Sequence, residues 1–384
     1  MSETSMINAV YVSLVDPQNR DAWSGSAYWA ARGLKNAGFN LEFIGPLANQ
    51  HQLFTRIKGR VINHLGWNYS PYGETLVLKS FARQVECELR NKVGSVIISC
   101  GRPHLAYLNT QLPYIFFDDG STPAMNRDFP GMAHLWPSNL RSLYYAERRI
   151  LERCLYACYA SEWAASGAIK YYGDSIKGKV KVIPWGANME VTRTRTEVDS
   201  IIQKRGSAQC RLLFVGIDWI RKGGVMAVAV AEHLHRQGIS VQIDIVGCKP
   251  EGVFPPFVKI HGYISKQTPE GARFIDQLYR EAHFFIMPSE SEPYGIVYVE
   301  AASYGLPAVG KDCAGPATII QNGRNGYKFS NESPPSVYAD KLEEIWRDRA
   351  AYESLCRSSF QEYESRLNWK TFGEAIYDLV KERV

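Results

Sequence analysis

No stretch of about 18 uncharged apolar residues occurs in the 384 residues, which excludes a membrane-spanning helix. Nor does one sign of charge dominate. The 44 Lys and Arg against 39 Asp and Glu leave a net +5, and no block of five or more basic residues appears, so nucleic acid is not expected as a partner. That mild excess is compatible with an anionic small molecule or a membrane surface. The 8 cysteines include no CxxC pair, which removes the commonest zinc and dithiol motifs. Cys154 and Cys158, four apart, share a face if both lie on one helix, yet no second Cys/His pair at metal spacing accompanies them. The thiols read as buried and free, which fits a reducing cytoplasm. No DxD triplet and no Asp/His cluster at metal spacing is present, so no metal is expected. The first residues, MSETSMINAVYVSLV, carry neither a positive n-region nor a small-residue cleavage site, so a secretory leader is not expected.

What the chain does have is alternation. Short, nearly unbroken apolar runs at 9–15, 41–44, 95–99, 114–117 and 179–183 read as buried strands. Between them, Ser26–Asn36, 139–155 and 160–172 show helical spacing, with Gly38 and Gly173 where helix ends belong. After a polar, weakly patterned stretch at 192–209 the scheme restarts. Strands are predicted at 211–215, Val241–Val246, 284–287 and 308–310, and helices at Gly224–Arg236 and 295–304. Three amphipathic helices, 337–346, 351–366 and Trp369–Lys381, close the chain. Strands alternating with helices imply parallel sheets. Two systems of similar size joined near residue 190 predict an α/β chain of two doubly wound domains facing a cleft. Ligands bind beyond the carboxyl ends of such strands, so the cleft is the expected site.

The segment richest in chemistry is PSESEPYGIVYVEAA, residues 288–302. Glu292 falls in a strand-to-helix loop and Glu300, eight positions on, in the second turn of the helix that Gly295 opens. Backbone N–H groups and the positive helix end suit a phosphate, and the carboxylates suit sugar hydroxyls. A ligand with both is a sugar nucleotide. The alternative is two solvated glutamates flanking a turn.

This segment resembles the E-x7-E motif of retaining glycosyltransferases of the GT-B fold, in particular the large family-four group. Phe214-Val215-Gly216 followed by Lys222-Gly223 is similar to that group's first C-terminal strand and phosphate loop, and VIPWGAN at 182–188 to its interdomain linker. Ser161-Glu162-Trp163 and Asn322-Gly323-Arg324-Asn325-Gly326 also match, in the expected order. The resemblance implies a GT-B fold of two Rossmann-like domains, with residues 1–187 binding the acceptor and 188–366 the nucleotide sugar. The closing helix, 367–384, would pack back on the first. It implies that Glu300 binds ribose hydroxyls, that Glu292 binds a hydroxyl of the donor sugar, and that Lys222 neutralises the diphosphate. Backbone groups around Tyr294, Gly295, Ile296 and Val297 would meet sugar and phosphates, and Gly262-Tyr263 would lie against the base. A cation fits the chemistry, because cleavage of the sugar–phosphate bond builds charge on the leaving diphosphate. For Lys222 the alternative is a solvated loop lysine.

The sequence departs from the family where an arginine usually follows Gly216. Ile217 stands there, and Arg221 is the candidate replacement. Another departure is Thr318, where the group often has a glutamate. In the first half, Gly25 in Trp23-Ser24-Gly25-Ser26 allows close backbone approach to a phosphate, and Ser26 is placed to cap the following helix. Asp119, after a strand, stands where many relatives use a histidine. It is a candidate for touching a sugar, the alternative being an Asp-Gly turn. His104 reads as structural or substrate-contacting. Arg141, Arg148, Arg149 and Arg153 share part of a helix face that either touches anionic lipid or is simply solvated.

The activity these readings imply is retaining transfer of a glycosyl group from a nucleoside-diphosphate sugar to an acceptor hydroxyl, with no metal or other cofactor. The expected partners are the sugar nucleotide, a carbohydrate or lipid-linked acceptor and, peripherally, a membrane; the expected location is the cytoplasm, at the inner face of the membrane. The remaining alternatives are a GT-B epimerase or phosphorylase and a non-catalytic sugar-nucleotide sensor. A dinucleotide oxidoreductase is disfavoured because no G-x-G-x-x-G follows a strand.

Overall fold

The computed structural model describes residues 6–383. The N-terminal reading of a missing leader therefore falls partly on residues outside those described. The chain divides into two compact units. One comprises the described residues through Asn188 together with those from Trp369 onward; the other is Met189–Asn368.

In the first unit six strands, β1 (Ile7–Ser13), β2 (Phe39–Ile44), β3 (Val96–Cys100), β4 (Tyr114–Asp118), β5 (Tyr156–Tyr159) and β6 (Val180–Val182), form one sheet in the order β2-β1-β3-β4-β5-β6. Every pairing is parallel. The central strands are buried along their length, which is why they read as continuous apolar runs rather than alternating ones. Val10, Ile97, Phe116 and Tyr159 from four strands pack with Leu78, Ile150 and Ala164 of the covering helices. The closing helix Trp369–Lys381 lies against Ser26–Asn36 within this unit, at a glycine crossing. A Cβ on Gly33 would sit 2.3 Å from the Trp369 carbonyl oxygen, and one on Gly373 2.3 Å from the Gly33 oxygen.

The second unit repeats the plan. β7 (Cys210–Val215), β8 (Val241–Val246), β9 (Val258–Gly262), β10 (Phe284–Ile286), β11 (Ala308–Lys311) and β12 (Gly326–Phe329) form a parallel sheet in the order β12-β11-β10-β7-β8-β9. Both strand orders reverse direction once, between β1 and β3 and between β7 and β10. A doubly wound α/β architecture therefore holds in each unit, and the reversal points mark the two places where loops diverge and leave a crevice.

Some local expectations need correction. The stretch 192–209 is not weakly structured, because it carries the helix Arg195–Lys204. The Thr194 hydroxyl accepts from the Glu197 N–H, and the Glu197 carboxylate accepts in return from the Thr194 N–H. Cys154 and Cys158 do not share a helix: the first caps Pro137–Arg153 and the second lies in β5. Burial pushes the Cys154 thiol up to about 12. Cys87 is exposed, against the expectation of buried thiols. Ser26 does not cap its helix. Gly25 is the N-cap, and the Ser26 hydroxyl accepts from Asn188 instead. The helices Gln52–His64, Thr75–Leu89 and Pro269–Glu281 and the strands β9 and β12 were not anticipated.

Candidate functional site

At the reversal point of the second sheet two loops leave neighbouring strands. After β7 the chain runs from Gly216 to Gly223 and enters the helix Gly224–Arg236. Its turn is fixed by backbone bonds, Lys222 N–H to Asp218 (2.9 Å) and Gly224 N–H to Trp219 (2.9 Å), and by the Asp218 carboxylate, which accepts from the Arg221 N–H (3.1 Å). After β10 the chain runs through Glu292 to Gly295 and enters the seven-residue helix Ile296–Ala302. The loops touch backbone to backbone. Gly223 has φ +75°, and a Cβ there would lie 2.1 Å from the Pro288 carbonyl oxygen, so only glycine fits.

This contact brings three of the expected residues together. Lys222 forms an ion pair with Glu292. Arg221 donates from Nη1 to the Ser291 carbonyl oxygen at 2.9 Å and comes within 3.6 Å of the same Glu292 carboxylate. The side chain of Lys222 is 15% exposed and that of Glu292 9%, so the pair is largely shielded and screened less than a surface pair. Arg221 is more open, and its Nε also bonds Asp218 at 3.1 Å. The missing family arginine at Ile217 is consistent with this arrangement. The Ile217 side chain is exposed, and a guanidinium reaches the same carboxylate from Arg221.

Glu300 lies in the second turn of its helix and is fully buried. Its Oε1 accepts from Lys266 Nζ at 2.5 Å and its Oε2 from the Tyr279 hydroxyl at 3.0 Å. Burial, reinforced by the Glu300 charge, raises the Tyr279 phenol well above its ordinary value and keeps it a donor. Neither Lys266 nor Tyr279 was legible in the sequence. Lys266 follows β9 by four residues, and Tyr279 sits on the unanticipated helix Pro269–Glu281. Gly262 ends β9, two strands from β7, and Tyr263 follows it. Gly262 takes φ +70°, its carbonyl oxygen accepts from the Gly247 N–H at 2.8 Å, and the Tyr263 ring is exposed. Tyr294 is buried, and its Cα would lie 2.3 Å from a Cβ on Gly315, which holds the loop before Gly295 against the next turn.

Gly25 and Asp119 belong to the first unit, beyond the carboxyl ends of β1 and β4. Gly25 has φ +85°, and Trp23 and Ser24 before it also adopt positive φ, +51° and +55°. Such residues cost about 1–3 kcal/mol each and persist where surroundings impose them. The anchor is Asn188, whose Nδ2 donates to the Ser24 carbonyl oxygen (2.8 Å) and to the Ser26 hydroxyl (3.0 Å). Asp119 is half-buried, and its N–H donates to Asp118 Oδ1 at 2.9 Å. Asp118 in turn pairs with Arg102 at 2.6 Å, and Arg102 lies 3.4 Å from the buried Glu147. Burial pushes the Asp118 carboxyl up, opposed by the Arg102 charge. His104 is fully buried against the Ser99 hydroxyl at 2.6 Å, and burial lowers it to about 3, so it stays neutral and structural. On the basic helix face, Arg149 and Arg153 donate to the carbonyl oxygens of Ala106 (3.1 Å) and Leu108 (2.8 Å). Arg148 lies over the Tyr172 ring at 5.4 Å, so three of the four guanidiniums are engaged by their own unit.

Residues 209–348 match the family model described as glycosyl transferases group 1. That match lies wholly within the second unit. The chain is 25% identical over 230 residues to a D-inositol 3-phosphate glycosyltransferase of Streptomyces avermitilis, covering 56% of this chain and 49% of that one. It thus spans about half the length of that relative. Among solved structures it is similar to sucrose-phosphate synthase from Thermosynechococcus elongatus, with TM-score 0.70, 15% identity and 98% of both chains covered. It is also similar to Anabaena HepE in complex with UDP, with TM-score 0.62, 15% identity, and 98% of this chain and 100% of that one covered. The fold is GT-B. In this unit Lys222, Arg221 and Glu292 meet at the sheet's reversal point, and Glu300, on the helix that Gly295 opens, is held separately by Lys266 and Tyr279. Among the described residues no group of three or more His, Cys, Asp or Glu side chains is disposed to hold a metal ion. No helix among them is long and apolar enough to cross a membrane.

Proposed function

We propose that the chain is a retaining glycosyltransferase that takes a glycosyl group from a nucleoside-diphosphate sugar and passes it to an acceptor hydroxyl. The observation that carries this reading is the meeting of Lys222, Arg221 and Glu292 where the second sheet reverses. A ligand that replaces their mutual contacts has to offer anionic oxygens to two cations and hydroxyls to a carboxylate. A sugar diphosphate offers both. Glu300, whose second carboxylate partner is the partly open Lys266, suits the diol of a ribose, and Gly262-Tyr263 suits a base lying on backbone. Tyr294, Gly295, Ile296 and Val297 present main chain to the sugar and phosphates.

In the chemistry that follows, the bond from the anomeric carbon to the phosphate oxygen breaks and a bond to the acceptor oxygen forms on the same face. The acceptor proton passes to the departing phosphate. Lys222 and Arg221 stabilise charge that grows as the bond breaks, which lowers the barrier rather than merely tightening binding. Asp119 and Gly25 of the first unit are assigned to holding a sugar and a phosphate rather than to base catalysis. The scheme draws on no metal or other cofactor, and the acceptor is a carbohydrate or a lipid-linked sugar.

The test is a panel of uridine, guanosine and adenosine diphosphate sugars, uridine first because HepE is solved with UDP. Nucleoside-diphosphate release that survives a chelator, with a product of unchanged anomeric configuration by NMR, is the expected result. Tight donor binding with no release from any donor overturns the reading in favour of a sensor.

A further inference from the structure

The helix Gln52–His64 of the first unit is amphipathic in the wrong direction for a helix that exists only to cover a core. Its inward face is thin: Thr55, Gly59 and Ile62 are buried, at one angular sector of the helix. Its outward face is apolar. Leu53 is 74% exposed, Phe54 45%, Ile57 55%, Val61 56% and, at the helix end, Leu65 61%. At 3.6 residues per turn these five side chains span an arc of about 120°, opposite the buried sector. Eight of the 21 exposed large apolar side chains of the described residues fall between positions 53 and 76. Scattered exposed apolar residues need no explanation, but a contiguous stripe does.

The charges around the stripe say what covers it. Arg56 and Arg60 border one edge and Lys58 the other, with His64 between Leu53 and Ile57 in projection. Arg56 and Arg60 are exposed and form no ion pair among the described residues, whereas Lys58 is held by Glu74 at 2.7 Å. No Asp or Glu occurs from position 43 to position 73. Trp67 follows the stripe and packs edge-on against Trp136 at 5.9 Å, supplying the kind of amphipathic ring that favours a bilayer's interfacial zone. A second copy of the chain docked through the same face would bring two rows of cations together with no carboxylate between them.

We propose that this face docks on an anionic lipid bilayer, with Leu53, Phe54, Ile57 and Val61 entering the acyl boundary and Arg56 and Arg60 meeting lipid phosphates. The membrane contact is thereby moved from the helix Pro137–Arg153 to the helix Gln52–His64. It is independent of the transferase reading, because lipid partition is measured without donor or acceptor.

The experiment is co-sedimentation of the full chain with vesicles containing about one third phosphatidylglycerol in phosphatidylcholine, and with phosphatidylcholine alone. Binding to the anionic vesicles, weakened by high salt and much poorer to the neutral ones, is expected. Each arginine is worth about fivefold in partition, so Arg56→Ser with Arg60→Ser lowers it about 25-fold. The triple variant Leu53→Ser, Ile57→Ser, Val61→Ser abolishes it. The altered residues are exposed, so the melting temperature of both variants should stay that of the parent, and this separates lost docking from lost fold. Three results overturn the proposal: no pelleting with either vesicle, binding that Arg141→Ser with Arg148→Ser removes while the Gln52–His64 variants retain it, or a dimer in gel filtration that the triple variant dissociates.

Discussion

Replacing Lys222 by Ala is the perturbation that bears most directly on the proposed chemistry. The residue meets Glu292 in a largely shielded ion pair, and among the described residues the only other cation within 4 Å of that carboxylate is Arg221, at 3.6 Å. Truncation thus removes the nearer of two positive charges from the point where a leaving diphosphate gains charge. Removal of one preorganised stabiliser of this kind costs about 3–4 kcal/mol in the transition state, or about 10²–10³ in kcat. Stability should fall less than the about 3–5 kcal/mol typical of breaking a fully buried pair, because Arg221 remains beside Glu292. The assay is nucleoside-diphosphate release at saturating donor, with donor Kd by titration and a thermal melt as the control for folding. A kcat within threefold of the parent, in a variant that melts normally, refutes the assignment. The variant Lys222→Ala with Glu292→Gln separates two roles. If Lys222 served only to neutralise Glu292, the double variant would match Glu292→Gln alone; if it acts on the phosphates, the double variant falls well below Glu292→Gln.

Glu300→Gln should lower donor affinity by about 1–3 kcal/mol with little change in the rate of bond cleavage, read by titration calorimetry, since the lost partner is a charge-assisted acceptor for a diol. Unaltered affinity refutes the ribose role. Acid should destabilise both units through buried neutral histidines: burial lowers His104 to about 3 and His283 to about 4. Each folded unit therefore refuses a proton that its unfolded chain takes up below the ordinary 6.5. Stability is full above that pH and falls by about 1.4 kcal/mol per pH unit per histidine as pH drops toward 4, measurable by urea titration; a flat profile between those values contradicts it. Gly33→Ala should lower the melting temperature of the first unit by several degrees, because its Cβ would stand 2.3 Å from the Trp369 carbonyl oxygen and the helices have to part.

Much of the architecture was readable because each strand of a parallel sheet is buried on both faces and so announces itself as an apolar run. Val241–Val246 and Gly224–Arg236 lie where the spacing puts them. The failures have physical causes. The helix Arg195–Lys204 buries only Val198, Ile201 and Ile202, too short an apolar stripe to stand out from its polar surroundings, and Gln52–His64 turns its apolar stripe outward, against the usual pattern of burial. At the site, Glu292 and Glu300 were legible from their setting beyond a strand. Lys266 and Tyr279 were not, because their importance comes from contacts to Glu300 across 34 and 21 positions, and Asn188, though part of the linker motif, gave no sign of its contact to Ser26 across 162. Spacing along a chain encodes neighbours within one element and is silent on these.

The pairing of both glutamates with lysines has an energetic consequence for the proposed reaction. Glu292 holds Lys222 and Glu300 holds Lys266, so each shielded carboxylate is compensated from within the chain. An isolated carboxylate in such a place would be costly, and so would an isolated ammonium. A ligand carrying only phosphates would take the lysines and strand the glutamates; one carrying only hydroxyls would do the reverse. A nucleoside diphosphate joined to a sugar replaces both partners at once, leaving no buried charge unpaired. Discrimination against free phosphate or free sugar then comes from the cost of half an exchange rather than from the strength of any one contact. Glu292→Gln should accordingly weaken binding of the intact donor while strengthening inorganic diphosphate, because Lys222 is released; titration with both ligands measures the two shifts, and a parallel change in the two affinities contradicts the exchange.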